Sequence, residues 1–208
     1  MTEAERVHLR DGAALLGVHL TEAQEARLWR YVELLLSWNE KINLTAVTEV
    51  SAIVDKHLLD CLALLPLLPA GHDIRVIDVG TGAGLPALIL AIARPDLLVT
   101  AVESIHKKVT FVRTVVRELD LEVVVEPVRL EALAIPAPFD VAVSRATFEP
   151  AEWVTRGAEL VRPGGLLIAM LSEQQQVPPP PPGFTEQTLV DHRLGDAYRA
   201  IARYQRAR

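Results

Sequence analysis

Residues 74–86 read I-R-V-I-D-V-G-T-G-A-G-L-P. A β-branched apolar run ends in an acid. Glycines follow at 80, 82 and 84, and an apolar stretch of helical character comes next. Glycine is used in this way where a chain turns tightly and lets a ligand approach the backbone. A strand, a glycine turn and a helix in that order form the opening unit of a doubly wound α/β sheet, whose ligands sit beyond the carboxyl ends of the strands.

Downstream of this unit the same rhythm recurs. Strand-like runs occupy 74–79, 97–103, 121–126, 139–144 and 165–171, with helical stretches at about 85–94, 105–119 and 151–161. Alternation of this kind predicts parallel strands joined by crossover helices. Two further strands near 184–190 and 197–204 would make an antiparallel edge. Between them and the fifth strand lies S-E-Q-Q-Q-V-P-P-P-P-P-G (172–183), read as a stiff extended connector, with a ligand for a proline-recognition module as the alternative.

Upstream the pattern is helical. Residues 3–17 and 22–38 carry apolar side chains at helical spacing, and Thr21 with Gln24 matches a capping box. Thr48 is the expected N-cap of a third helix over roughly 50–65, which Pro66 and Pro69 terminate. The expected organisation is a helical extension over 1–70 and a Rossmann-like domain over 71–208.

Composition narrows the function classes. The chain has 208 residues, half of them hydrophobic, and a net charge of −6. That is a soluble globular composition, and no global positive field advertises nucleic acid. The stretch from Arg193 is locally basic, with five arginines (193, 199, 203, 206, 208) against one aspartate. One cysteine, Cys61, rules out an internal disulfide framework and suits a reducing compartment. The polar N-terminus and the lack of a long apolar run lead to the expectation of a cytoplasmic protein that neither enters nor crosses a membrane. The six histidines are scattered, so no metal site is expected.

Three ligand classes compete for the glycine turn. A phosphate loop needs Lys-Ser or Lys-Thr after its glycines, and none is present. A dinucleotide turn prefers G-x-G-x-x-G, but Leu85 stands where the third glycine should be. S-adenosylmethionine fits better. Asp78 at the strand end suits a cationic, amino-bearing ligand, and Glu103 at the next strand end can accept hydrogen bonds from a ribose diol.

Four segments carry a resemblance: L-L-L-S-W-N-E-K-I-N-L-T-A-V-T-E (34–49), K-H-L-L-D-C-L (56–62), D-V-G-T-G-A-G-L-P (78–86) and S-R-A (144–146). Together they resemble the bacterial small-subunit ribosomal RNA guanine-N7 methyltransferases, the glucose-inhibited division protein B family. The resemblance implies a class I S-adenosylmethionine-dependent methyltransferase: a mainly parallel seven-stranded sheet with an N-terminal helical cap. It further implies transfer of a methyl group to N7 of a guanine in 16S ribosomal RNA. The expected partner is small-subunit ribosomal RNA or an assembling 30S subunit, and the expected state is a monomer.

By the same resemblance Gly80, Leu85, Leu130, Glu131 and Arg145 line the cofactor pocket, and Asp78, Gly82, Gly84 and Glu103 fill the general methyltransferase positions. Lys107 and Lys108 match a basic pair after the second strand, expected with Arg145 to face RNA. Arg145 is the expected catalytic residue, contacting the target base or a flanking phosphate; a salt bridge to Glu131 or Glu149 is the structural alternative. His57, Asp60, Asn39 and Asn43 are expected either to wall the cofactor mouth or to cap and pack the helices. Lys41, Lys56, Arg113 and the C-terminal arginines are candidate phosphate contacts.

The family continues G-x-P-G-I-P where this chain reads L-P-A-L-I-L, and it places a lysine after the fifth strand where this chain has A-M-L-S-E. These departures keep two other readings open. One is a methyltransferase of the same fold acting on a small molecule or protein; the other is a non-catalytic adaptor that binds S-adenosylmethionine.

Overall fold

The structure is a computed structural model that describes residues 2–134, 138–194 and 197–208. Seven strands form one sheet in the order β3-β2-β1-β4-β5-β7-β6. They are β1 (Arg75–Val79), β2 (Leu98–Val102), β3 (Val123–Glu126), β4 (Phe139–Arg145), β5 (Val161–Ser172), β6 (Phe184–Leu194) and β7 (Ala197–Arg206). β1 to β5 run parallel, while β7 lies antiparallel to both β5 and β6. The chain steps outward from β1 through β2 to β3, then returns to the other side of β1 as β4. The crevice at the β1/β4 switch point is where a doubly wound sheet binds ligands.

The sheet is buried on both faces, as period-2 side chains in β5 demonstrate. Leu166, Ile168 and Met170 join one apolar core, and Leu167, Ala169 and Leu171 join the other. The first core takes in α1 (Glu3–Leu15), α2 (Glu22–Ile42), α5 (Ala87–Ala93) and α6 (His106–Glu118). The second takes in α7 (Pro150–Gly157).

The N-terminal helices are therefore continuous with the core of the sheet. Buried Leu28, Tyr31, Val32 and Leu35 give α2 its inner face, and both halves of the Thr21–Gln24 capping box form. The Tyr31 hydroxyl donates to the Ala83 carbonyl at 3.0 Å, tying α2 directly to the glycine turn.

The third helix departs from expectation in two ways. Its N-cap is Glu49, not Thr48; the Glu49 carboxylate accepts from the Ser51 and Ala52 amides at 3.2 and 2.8 Å. A carboxylate satisfies two orphan amides and also complements the helix dipole, which a hydroxyl does less well. Instead of one continuous helix over 50–65, α3 (Val50–Ile53) passes into a π-helical segment (Val54–Leu59) before α4 (Asp60–Leu62), and a 3₁₀ turn spans Leu65–Leu67. π-helical turns gather at functional sites, and this one carries Lys56 and His57.

In the proline-rich connector, Pro178 and Pro181 are buried while Pro179, Pro180 and Pro182 are exposed. The Tyr204 hydroxyl donates to the Pro178 carbonyl at 2.6 Å. The run thus lies down on the sheet with a three-residue period, as an extended polyproline segment does.

Candidate active site

The glycine turn is built around Asp78. Its carboxylate is fully buried at the end of β1, and Oδ2 accepts from Thr81 Oγ1 at 2.5 Å and from the Ala87 amide at 3.1 Å. One acid thus holds both ends of the turn. Its other oxygen, Oδ1, has no hydrogen-bond partner among the described residues. Burial pushes the Asp78 carboxyl up to about 6, against the opposing pull of Thr81, Ala87 and the Arg145 charge.

Gly80, at φ +77°, is the tightest point of the turn. A Cβ there would stand 2.2 Å from Thr147 Oγ1, whose hydroxyl donates to the Gly80 carbonyl at 2.9 Å. The Thr147 side chain, from the segment after β4, lies directly against the backbone of this glycine. Gly82 and Gly84 also take positive φ, and the Gly82 amide donates to Glu103 Oε2 at 3.0 Å. Glu103 Oε1 accepts from the Ile105 amide at 2.7 Å. Glu103 therefore fastens the turn to the start of α6, and each of its oxygens retains a lone pair for a ligand.

Three hollows open at this end of the sheet. One, of about 340 Å³, is lined by Gly80, Glu103, Lys108, Leu130, Glu131 and Thr147 among others. A recess of about 180 Å³ is lined by Gly82, Leu85, Lys108 and Arg145. A larger cavity, of about 620 Å³, is lined by Lys56, His57, Asp60, Arg145, Glu149 and Arg199 among others. Ala146 and Thr147 line all three. Ala146 has φ +55°, a left-handed conformation uncommon for a residue with a side chain. Such strain, where three hollows meet, is the kind that functional sites hold.

Arg145 is fixed by neither of the partners expected for it. Its Nη1 donates to Asp60 Oδ2 at 2.9 Å and to the Lys56 carbonyl at 3.0 Å. Glu131 is instead paired with Arg156, and no ion pair joins Glu149 to Arg145 among the described residues. The physical reason is position. The helix carrying Asp60 packs over the end of β4, and its carboxylate is more deeply buried than either glutamate. A guanidinium held under that helix is costly to leave without a partner, and Asp60 is the carboxylate within reach.

The W-N-E-K-I-N-L-T segment proves to be a loop clamp. Asn39 Oδ1 accepts from the Leu44 and Thr45 amides at 2.6 and 2.8 Å, and its Nδ2 donates to the Thr45 carbonyl at 2.9 Å. Asn43, at φ +50°, makes the left-handed C-cap of α2. The clamped Thr45 hydroxyl lies 2.8 Å from His57 Nε2, and His57 Nδ1 lies 2.9 Å from the Lys56 carbonyl. A proton on Nδ1 satisfies both contacts. Burial and the neighbouring Arg145 charge push the imidazole down to about 4, so at neutral pH it is uncharged.

Of the residues singled out from sequence, Gly80, Glu103, Lys108, Leu130 and Glu131 share the 340 Å³ cavity. Leu85 is buried and lines only the smaller recess, Gly84 packs on Leu88, and Lys107 is exposed on the first turn of α6. The side chain of Arg193 lies outside the described residues. Sequence reading missed Thr147 and Arg129, and it named Arg199 only as one of five C-terminal arginines. Thr147 follows S-R-A directly, and Arg129 precedes Leu130; both adjoin segments already flagged. The local basic run marks Arg199, but nothing in it separates Arg199 from the arginines beside it.

Comparison with known proteins identifies the family. Residues 24–177 match the family model for rRNA small subunit methyltransferase G. The chain is 42% identical to "Ribosomal RNA small subunit methyltransferase G" of Anaeromyxobacter dehalogenans strain 2CP-1, over 99% of each chain. It is 45% identical to the protein of that name in Chromobacterium violaceum, over 78% of this chain and 77% of that one. A methyltransferase from Pyrococcus furiosus shares the fold at a TM-score of 0.59, with 14% identity over 90% of this chain and 100% of that chain. With the family model covering most of its length and a relative of this identity matching end to end, the chain belongs to the rRNA small subunit methyltransferase G family.

Proposed function

We propose that the chain transfers a methyl group from S-adenosylmethionine to N7 of a guanine in 16S ribosomal RNA. The observation that carries this reading is the meeting of the 340 Å³ and 620 Å³ cavities along Ala146, Thr147 and Phe148. A donor seat and an acceptor seat must share a wall if a group is to pass between them.

The residues present suit the donor. A buried oxygen of Asp78 is without a partner, and the turn at Gly80 leaves no room for a side chain. In this reading Gly80, Leu85, Leu130 and Glu131 line the donor seat. Asp78, Gly82 and Gly84 shape its turn, and Glu103 receives the ribose. When bound, S-adenosylmethionine supplies an electrophilic methyl group on a sulfonium.

Guanine N7 has a lone pair and no proton to lose, so the chain need supply no general base. That agrees with His57, the only imidazole lining these cavities among the described residues, having both ring nitrogens engaged by Thr45 and the Lys56 carbonyl. What the protein contributes is orientation, worth about 7–11 kcal/mol where the reacting groups are well aligned. Arg145 is held by Nη1 on Asp60 and Lys56, and its remaining N–H groups are the donors available to the base or its phosphate. Lys107 and Lys108, at the start of α6, extend the cationic rim toward the RNA. Residues 1–70 serve as a cap that holds the turn through Tyr31.

Mass mapping of 16S RNA from a strain lacking the gene tests the reading. Loss of one N7-methylguanine, restored by the wild-type chain and not by Gly80→Asp, is the expected result. An intact N7-methylguanine complement in the deletion strain overturns it.

A further inference from the structure

Arg199 belongs to β7 and stands directly across from Ser172 of β5 in the antiparallel register. It lines the 620 Å³ cavity and does not line the other two hollows. Arg145 and Arg199 converge on one carboxylate: Arg145 Nη1 is 2.9 Å from Asp60 Oδ2, and Arg199 Nε is 4.0 Å from Oδ1. The first contact is a hydrogen-bonded ion pair; the second is at the outer limit of one.

Two cations of this cavity gather around one buried acid. Lys56, Arg145 and Arg199 line the cavity with Asp60, while His57 is neutral. The other lining acids are Glu149, which is exposed, and Glu152, already 2.9 Å from Arg156. Where two arginines share one buried carboxylate in a concave site, the local field favours a further anion. Nucleic acid supplies that anion as phosphate, the commonest partner of arginine in such interfaces.

We propose that Arg199 binds the phosphate of the nucleotide that presents the acceptor base, and so positions that base against the donor seat. The inference rests on the acceptor reading of this cavity given above. Arg145 directly precedes Ala146 and Thr147, which line the donor hollow, and serves the base; Arg199, which lines the larger cavity and not the other two, holds the phosphate. Removing Arg199 leaves Asp60 paired with Arg145, so the fold does not depend on the contact.

The test uses the full chain, S-adenosylmethionine, and 30S subunits or 16S RNA from a strain lacking this modification. Arg199→Gln is expected to raise KM for the RNA about tenfold while kcat and donor affinity by calorimetry stay within twofold. The dependence of log KM on log salt is expected to flatten by about 0.7–0.9, one phosphate contact. Arg199→Lys, which keeps the charge, restores most of the affinity. An unchanged KM and salt slope in Arg199→Gln overturns the inference, as does a parallel loss of donor binding and thermal stability. Failure of Arg199→Lys to rescue assigns Arg199 to base recognition and overturns the phosphate assignment. If the wild-type chain binds the donor but methylates neither substrate, the acceptor reading itself falls, and the inference with it.

Discussion

Two buried titratable groups at this site act on stability with opposite sign. Burial raises the Asp78 carboxyl from 3.8 to about 6. Between those values the folded chain holds a proton that the unfolded chain has released, so this contribution to stability declines as pH climbs through the window. Burial and Arg145 lower His57 from 6.5 to about 4. There the unfolded chain holds the extra proton, so this contribution grows as pH climbs. At about 1.4 kcal/mol per tenfold step in proton affinity, each effect is worth about 3 kcal/mol. In the wild-type chain they nearly cancel between about pH 4 and about pH 6.

Asp78→Asn and His57→Gln separate them. Urea unfolding across about pH 4 to about pH 7 gives each variant's stability relative to wild type, which removes every other titration common to both. Relative to wild type, Asp78→Asn should gain about 3 kcal/mol as pH rises to about 6, and His57→Gln should lose about 3 kcal/mol by about pH 6.5. The reasoning fails if either difference is flat across the window, or if the two share a sign.

Other outcomes follow from the geometry of the turn and its supports. Gly82→Ala, at φ +60°, makes only an ordinary contact with the Gly80 carbonyl oxygen at 3.9 Å and should cost about 1–2 kcal/mol, whereas Gly80→Ala also drives a methyl into Thr147 and should cost about 2 kcal/mol more; equal denaturation midpoints would contradict this. Asp60→Ala leaves the Arg145 guanidinium buried without its carboxylate and should cost about 3 kcal/mol, part of which Arg145→Met recovers in the double variant, as unfolding measurements would reveal. Tyr31→Phe strips the Ala83 carbonyl of its buried donor; a loss of about 1–2 kcal/mol in stability, with weaker S-adenosylmethionine binding by calorimetry, is expected.

Much of this molecule is legible in its sequence because its signals are local. The strand ending in Asp78, the alternate glycines and the acid at Glu103 are each set by a few adjacent residues, and so is the βα rhythm that orders the sheet. What was not legible depends on contacts between distant residues. Arg145 meets Asp60 across 85 positions, and no pattern along the chain selects that acid over Glu131 or Glu149. The π-helical turn that presents the Lys56 carbonyl to Arg145 has the same apolar spacing as an ordinary helix. Asn39 and Asn43 were conspicuous by residue type, but their work as a clamp and a left-handed cap needs the loop's path in space. Arg199 reaches the cavity only through the strand register that sets it opposite Ser172.

The strand order also bears on when this protein becomes competent. β7 comes after all the other strands in the chain, yet it lies between β5 and β6. During synthesis the β6 ladder cannot form until β7 emerges, since β7 is its strand partner, and the wall carrying Arg199 does not exist before then. The contacts that hold the glycine turn, with Tyr31, Ala87, Glu103 and Thr147, all involve residues made before β7. A nascent chain would therefore pass through a stage with its donor turn formed and its acceptor cavity open on one side. Completion of the larger cavity is coupled to release of the last strand.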